Sequence, residues 1–341
     1  MKKYWCKLLV LCSLCSLIII TESCKSKKKD VKIPAPAAKI NKNAEPIHIK
    51  RYEKALFSLD KNNLPSEMAK LSADFYFFLG DEWQSPQNIN KIKNFIADPN
   101  IIELYSLTLK KYPDLTQFEK ELAHSFAIFR SYFPQTKIPD VYSYVSGLDA
   151  DNSIIYVNDG LAVALDLFLG KDSPAYRKVG FPKYKTEVLS EEYMLPCTMK
   201  AVATSFVAYD ENDATLLNQM ILEGKKLYFL DVVLPEIADY LKIGYVKEKY
   251  EWCVNHEGQI WAFLIDSQAM FSSDFTKINR LMNDAPFTTG LPQESPGRIG
   301  AYIGWQIVRE YMANNSVSLP ALMKNTNAQD ILTKSNYKPK K

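Results

Sequence analysis

The chain has 341 residues, 47% of them hydrophobic, and its 42 Lys and Arg nearly balance 39 Asp and Glu. That hydrophobic content excludes a disordered chain, and the charge balance excludes a dedicated nucleic-acid binder. Three His cannot supply an imidazole-rich zinc site, and the twelve Gly form neither a phosphate loop nor a dinucleotide fingerprint.

Residues 1–23 read as a lipoprotein signal peptide. Lys2, Lys3 and Lys7 form a positive n-region, and Leu8 through Ile20 is an uncharged apolar run too short for a comfortable span. It ends in Thr21-Glu22-Ser23-Cys24, a small residue followed by Cys, which resembles a relaxed bacterial lipobox. Lipid on Cys24, at about 0.8 kcal/mol per buried CH₂, would hold the protein on a bilayer without a transmembrane helix. Palmitate-type acyl chains are the expected covalent lipid, and no other cofactor is expected. Residues 24–50 then read as a basic tether: 25–50 carry eight Lys against Asp30 and Glu45, with Pro34, Pro36 and several Ala. Such a tether is extended, at up to about 3.3–3.6 Å per residue. The signal segment carries +2 and the tether +6, which leaves the body from 51 onward at −5. Its Lys cluster is either a solvated spacer or a contact for anionic lipid or cell-wall polymer. Beyond Cys24 only Cys197 and Cys253 remain, read as two separate buried thiols.

The body reads as mostly helical. Apolar spacings of three and four predict helices over Tyr52 to Leu59, Pro65 to Leu79, Asn100 to Lys111 and Phe118 to Phe133. His124 falls at the edge of the last stripe, as a surface or hydrogen-bonded imidazole. Val141 to Ser146 and Ser153 to Val157 are β-rich and flank turn residues, which predicts a hairpin. Gly160 to Gly170 is a buried apolar segment, helix or strand. Helical patterns resume over Leu195 to Tyr209, Asp213 to Leu234, Ile237 to Leu241 and a long segment from Tyr245 to Met282. Another helix follows Ser295-Pro296, and a last one covers Leu319 to Leu332. With no internal linker or repeat, the expected fold is α+β: a predominantly helical single domain, 51–335, with a small antiparallel sheet and a basic tail at 336–341.

Three stretches are candidates for chemistry. In the first, Ser295 is a natural N-cap and Pro296 a natural first helical residue. Gly297, Gly300, Ala301 and Gly304 then share one helix face. That face serves either tight helix packing or a groove floor at which Arg298 offers a guanidinium to a carboxylate or phosphate. In the second, Glu223 stands in an apolar helical run and must find a partner or shift its pKa. It is a metal ligand, a general base or an ion pair with Lys225, Lys226 or Arg298. The third, His256-Glu257, fails as an HExxH zinc helix because Ile260 stands where the second His is required. His256 lies one turn from Cys253, but no third member of a triad is present.

EGKKLYFLD (Glu223–Asp231), EWCVNHEGQIWAF (Glu251–Phe263), ESPGRIGAYIGWQIVREYMANNSVSL (Glu294–Leu319) and Cys24 together resemble the gliding-motility lipoprotein GldB family of Bacteroidetes. The likeness runs from IKRYEKALF to the C-terminal SNYKPKK. It implies a cell-envelope lipoprotein linked to gliding and to type IX secretion, with protein partners in that machinery, a membrane partner through the lipid and no nucleic acid. Lys25, Ser26 and Lys27 lack the acidic residues of surface-exported lipoproteins, so the expected location is the periplasmic face of the outer membrane. A weaker likeness is to zinc peptidases with an HExxH helix, a downstream E-G motif and a glycine-bearing C-terminal helix. It implies a gluzincin-like scaffold in which Glu223-Gly224 is the third-ligand motif. Lys200 to Thr204 would occupy the HExxH position, yet no His and no Glu stand there. The resulting expectation is a non-catalytic scaffold with no metal and no catalytic residue. Its candidate cleft or structural residues are Glu223, Arg298, Gly300 and Gly304, and a second candidate surface is Phe75-Tyr76-Phe77-Phe78. The alternatives are a metal-dependent peptidase or cell-wall hydrolase, and a periplasmic ligand- or peptide-binding protein.

Overall fold

The chain enters the fold as an edge strand. Ile47 and Ile49 are buried, and β1 (Ile49–Arg51) pairs in parallel with β2 (Asp140–Tyr144). The Ile49 N–H donates to Glu119 Oε1 at 2.8 Å, so the folded body begins a few residues inside the stretch read as tether. The computed structural model describes residues 44–340, and the signal peptide, Cys24 and most of the tether lie outside them.

Six helices follow β1: α1 (Tyr52–Phe57), α2 (Leu64–Leu71), α3 (Tyr76–Leu79), α4 (Pro86–Ala97), α5 (Pro99–Lys111) and α6 (Thr116–Tyr132). The predicted helix over Pro65 to Leu79 is two helices. The chain leaves helical geometry at Phe75 (φ −122°), whose ring packs 5.3 Å from Tyr52. Helix α4 was not anticipated, because its apolar positions are sparse. Ser85 starts it by accepting from the Asn88 N–H at 3.3 Å, with Pro86 in the first turn.

The sheet is mixed rather than antiparallel. Its order is β1-β2-β4-β3, with β3 (Ile154–Val157) and β4 (Gly160–Ala164) antiparallel and β2 parallel to both β1 and β4. The predicted hairpin between the second and third strands does not form. The hairpin is β3–β4, turned by Asn158 (φ 46°) and Asp159 (φ 62°), the residue types that best tolerate a left-handed two-residue turn. Strand β4 lies between two neighbours with all five residues buried, which explains an apolar run with no alternation.

The second half holds α7 (Pro174–Lys178), α8 (Lys183–Thr186), α9 (Glu191–Phe206), α10 (Leu216–Val233), α11 (Asp239–Ile243), α12 (Lys247–Asn255), α13 (Glu257–Asp266), α14 (Phe275–Met282), α15 (Ile299–Asn314), α16 (Leu319–Lys324) and α17 (Ala328–Ser335). The long segment from Tyr245 to Met282 is thus three helices, and Leu319 to Leu332 is interrupted at 325–327. The core is built on α10 and α15. Fifteen of eighteen residues of α10 and ten of sixteen of α15 are buried. Helices that are apolar on nearly every side belong inside a fold, not on its surface. No helix of the described residues is long and apolar enough to cross a membrane.

Candidate functional site

Helices α10 and α15 cross with their backbones almost in contact. A Cβ on Gly304 would stand 1.9 Å from the Met220 carbonyl oxygen, and one on Gly224 would stand 2.3 Å from that of Gly304. Gly300 sits at the same crossing, where a Cβ would meet Met282 Sδ at 2.5 Å. Gly300 and Gly304 are therefore buried at a helix contact, not on a groove floor. Gly297 is not on the helix face at all, because α15 starts at Ile299. The helix is entered through Arg298 in the left-handed region (φ 52°), and not capped by Ser295. Ser295 Oγ instead accepts from the buried Thr288 N–H at 3.2 Å, and Thr288 Oγ1 donates to the Pro296 carbonyl at 2.7 Å. These bonds hold residues 295–297 as a turn and delay the helix by one turn.

That turn closes one wall of a cleft of about 320 Å³. A second wall is the face of α9 that carries Tyr193, Pro196, Cys197 and Lys200, residues spaced by three and four. The junction of α11 and α12 laces the two together. Tyr193 Oη donates to the Tyr245 carbonyl at 2.9 Å, and Tyr245 Oη reaches the Gly297 carbonyl at 2.7 Å. Arg298 folds back over Tyr245. Its Nη2 donates to the carbonyls of Ile243 (2.7 Å) and Gly244 (3.3 Å), and its Nε lies 2.6 Å from Asp284 Oδ1. Gly244 has φ 72°, and its missing side chain leaves room for that guanidinium.

Glu223 lies beneath this cleft and does not line it. Lys200 Nζ pairs with Glu223 Oε2 at 2.8 Å, and Lys226 Nζ pairs with Oε1. Burial acts to raise the Glu223 pKa, but the two ammonium groups win and hold the carboxyl well below its usual range. Lys225, the third lysine considered as a partner, turns away and donates to the Ala208 and Asn325 carbonyls. Burial pushes its pKa down to about 8. Lys200 is 24% exposed and faces the cleft; burial lowers its pKa against the pull of Glu223. Lys200 and Glu223 are the positions that the zinc-peptidase likeness would give to two metal ligands, and here they form an ion pair. Among the described residues no three His, Cys, Asp or Glu side chains converge to hold a metal.

The other candidates, Cys197 aside, are placed apart from this cleft. Cys197 and Cys253 are both free, and Cys197 lines the cleft. Burial raises both thiol pKa values, which disfavours the reactive thiolate. His256 stacks on Trp252 with centroids 4.5 Å apart, and its Nδ1 lies 2.8 Å from the Trp252 carbonyl. His124 is half-buried on α6. Of the four consecutive aromatics, Phe75 is buried, Phe77 and Phe78 pack around Tyr142, and Tyr76 is 56% exposed.

Four carboxylates, Glu53, Asp166, Asp231 and Glu257, are buried though none was read as buried from the sequence, and the last two tie distant segments together. Asp231 Oδ2 accepts from Trp305 Nε1 (2.9 Å) and Arg309 Nε (2.7 Å), while Oδ1 accepts from Arg309 Nη2 (2.7 Å) and Lys242 Nζ (3.1 Å). Glu257 accepts from Tyr302 Oη (3.1 Å), from Tyr337 Oη (2.9 Å) and from the Lys340 N–H (3.3 Å). The C-terminal tail is thereby docked on α13. Asp231 stands between Leu230 and Val232, which is the sign that could have found it, whereas Glu257, between His256 and Gly258, carried no such sign.

No curated protein and no solved structure matches the chain. A family model described as "Gliding motility protein GldB" matches residues 34–339, which takes in every element of the fold and both walls of the cleft. On that match the chain belongs to the gliding motility protein GldB family and is a gliding-motility-related lipoprotein.

Proposed function

We propose that the protein is a non-catalytic scaffold or assembly factor of the gliding machinery, with type IX secretion as a linked role. In this reading lipid on Cys24 anchors it to the periplasmic face of the outer membrane. The observation that supports the non-catalytic part best is the state of Glu223. A general base needs a carboxylate whose pKa approaches the working pH, and a metal ligand needs free lone pairs facing a cation site. Glu223 has its pKa driven the other way, and each of its oxygens is engaged by a lysine. In this reading the kinship to zinc peptidases is that of a scaffold in which an ammonium group stands in the place of the metal.

The test is Glu223→Gln in a gliding host that lacks its own copy, at matched protein level. The amide keeps the shape and one acceptor oxygen but cannot act as a base. Colony spreading like the wild type is the expected outcome. Loss of spreading with unchanged abundance and thermal stability would overturn the reading in favour of chemistry at Glu223.

A further inference from the structure

The floor of the cleft carries more positive than negative charge. The cleft is lined by Lys185, Lys200, Lys242, Lys249 and Arg298 against Asp151, Glu187 and Asp284, and with Lys242 taken up by Asp231 one cation is in excess. Lys226 is spent on Glu223 below the floor. Lys200 makes one contact there, with Glu223, and an ammonium group has three donors to place. Arg298 donates Nη2 to two carbonyls and pairs by charge with Asp284, 2.6 Å from its Nε, but neither Nε nor Nη1 makes a hydrogen bond among the described residues. Both residues line the same cleft, with the Cys197 side chain beside them. The positive end of the sixteen-residue α15 helix begins at Arg298 itself. Above this floor the walls are apolar: Phe168, Phe181, Val188, Leu241 and Ile243. The volume of about 320 Å³ falls at the small end of the range for ligand pockets.

We propose that this cleft binds a carboxylate carried on an apolar body, with the carboxylate between Lys200 Nζ and Arg298 Nη1 and the body against Phe168, Phe181, Val188 and Leu241. A single negative charge matches the floor, since one cation is in excess. A phosphate dianion would leave a charge uncompensated against Glu223 and Asp284. The walls would reject a small hydrophilic anion, because burying them without an apolar partner gains nothing. Two sources share this chemistry: a short acyl chain, and an N-acylated amino acid such as a peptide end. The inference stands apart from the scaffold reading, because it is read by binding in solution and not by motility.

Calorimetric titration of the full chain in detergent tests it with four probes: hexanoate, N-acetyl-phenylalanine, and their neutral counterparts hexanol and N-acetyl-phenylalaninamide. At least one carboxylate is expected to bind with Kd below about 1 mM, and its neutral counterpart at least about tenfold more weakly. The preferred carboxylate tells the acyl chain from the peptide end. Binding is located by Cys197, whose labelling by a thiol reagent should slow in the presence of the bound carboxylate, while buried Cys253 stays unreactive. Lys200→Met leaves Glu223 paired with Lys226 and should weaken binding at least about tenfold, whereas Lys200→Arg should keep it within about threefold. If Lys200→Met fails to fold, Cys197 protection in the wild type decides. Failure of both carboxylates to bind below about 10 mM overturns the proposal. So does equal binding of the neutral probes, an unaffected Lys200→Met, or unchanged Cys197 labelling.

Discussion

Asp231 is 1% exposed and gathers Arg309, Lys242 and Trp305 around one carboxylate. The Arg309 guanidinium also lies 3.6 Å from the Trp305 ring centroid, so it is held on its face as well as its edge. Asp239 adds a second acid, 3.1 Å from Arg309 Nη1 and 3.5 Å from Lys242. Asp231→Ala would strand two cations with only Asp239 to balance them. Removing one partner of a buried pair costs more than the pair itself contributes. Asp231→Ala should therefore lose about 3–5 kcal/mol in denaturant unfolding at neutral pH, and a loss below about 1 kcal/mol would contradict the account. The sequence singled out Glu223 as a buried acid but passed over Asp231 in the same motif. Both stand in apolar surroundings, but their partners are remote: Arg309 is 78 residues from Asp231, beyond any local spacing rule.

At the scale of elements, the α10–α15 crossing makes a test of glycine against packing. In an isolated helix Gly304→Ala would gain about 1 kcal/mol from propensity. Here the new methyl group would meet the Met220 carbonyl at 1.9 Å, and that atom belongs to a helix backbone that cannot swing aside. Gly304→Ala should destabilise by about 2–4 kcal/mol despite the better helix former, with a lowered melting temperature as the readout. A neutral or stabilising result would mean that the helices do not cross here. The shared face of Gly300 and Gly304 was legible, because spacing by four is a local property. The start of that helix was not. Ser295-Pro296 has the composition of a cap, but the bonds to Thr288 that take it out of the helix come from a separate turn. The sheet failed for the same reason. Two strands were visible from their β-rich composition and Gly160 to Gly170 was open to either reading, but β1 was read as the end of the tether, and the order β1-β2-β4-β3 depends on pairings across the chain. Of the cleft only Arg298 was legible, since the rest of its walls are drawn from separate segments between Ala150 and Gly297.

For the whole molecule, the buried ionisable groups set the pH range of stability. Burial opposes ionisation of Glu223 and Asp239, but their cation partners hold both carboxyls below the usual range. A depressed carboxyl contributes stability that is complete above its unfolded pKa, about 4, and is lost as pH falls through the folded value. The acid limit should lie below about pH 4 for this reason. On the alkaline side, burial raises the Cys253 thiol and the Tyr228, Tyr250 and Tyr302 hydroxyls. Their stabilising effect is complete below the unfolded values and is lost as pH rises above about 9–10, because the unfolded chain ionises first. Lys225 runs the other way. Burial brings its folded pKa down to about 8, so between about pH 8 and 10.5 the native state is neutral there while the unfolded chain still holds the proton. Stability from this one group rises with pH across that window. Comparing the wild type with Lys225→Met cancels the cysteine and tyrosine contributions. The wild type should gain about 2–3 kcal/mol relative to the variant between about pH 8 and pH 10.5, measured by denaturant unfolding at each pH. A flat difference would mean that Lys225 keeps its proton at the carbonyls of Ala208 and Asn325, and that the loop and helix end they belong to are held by a charge and not by a neutral amine.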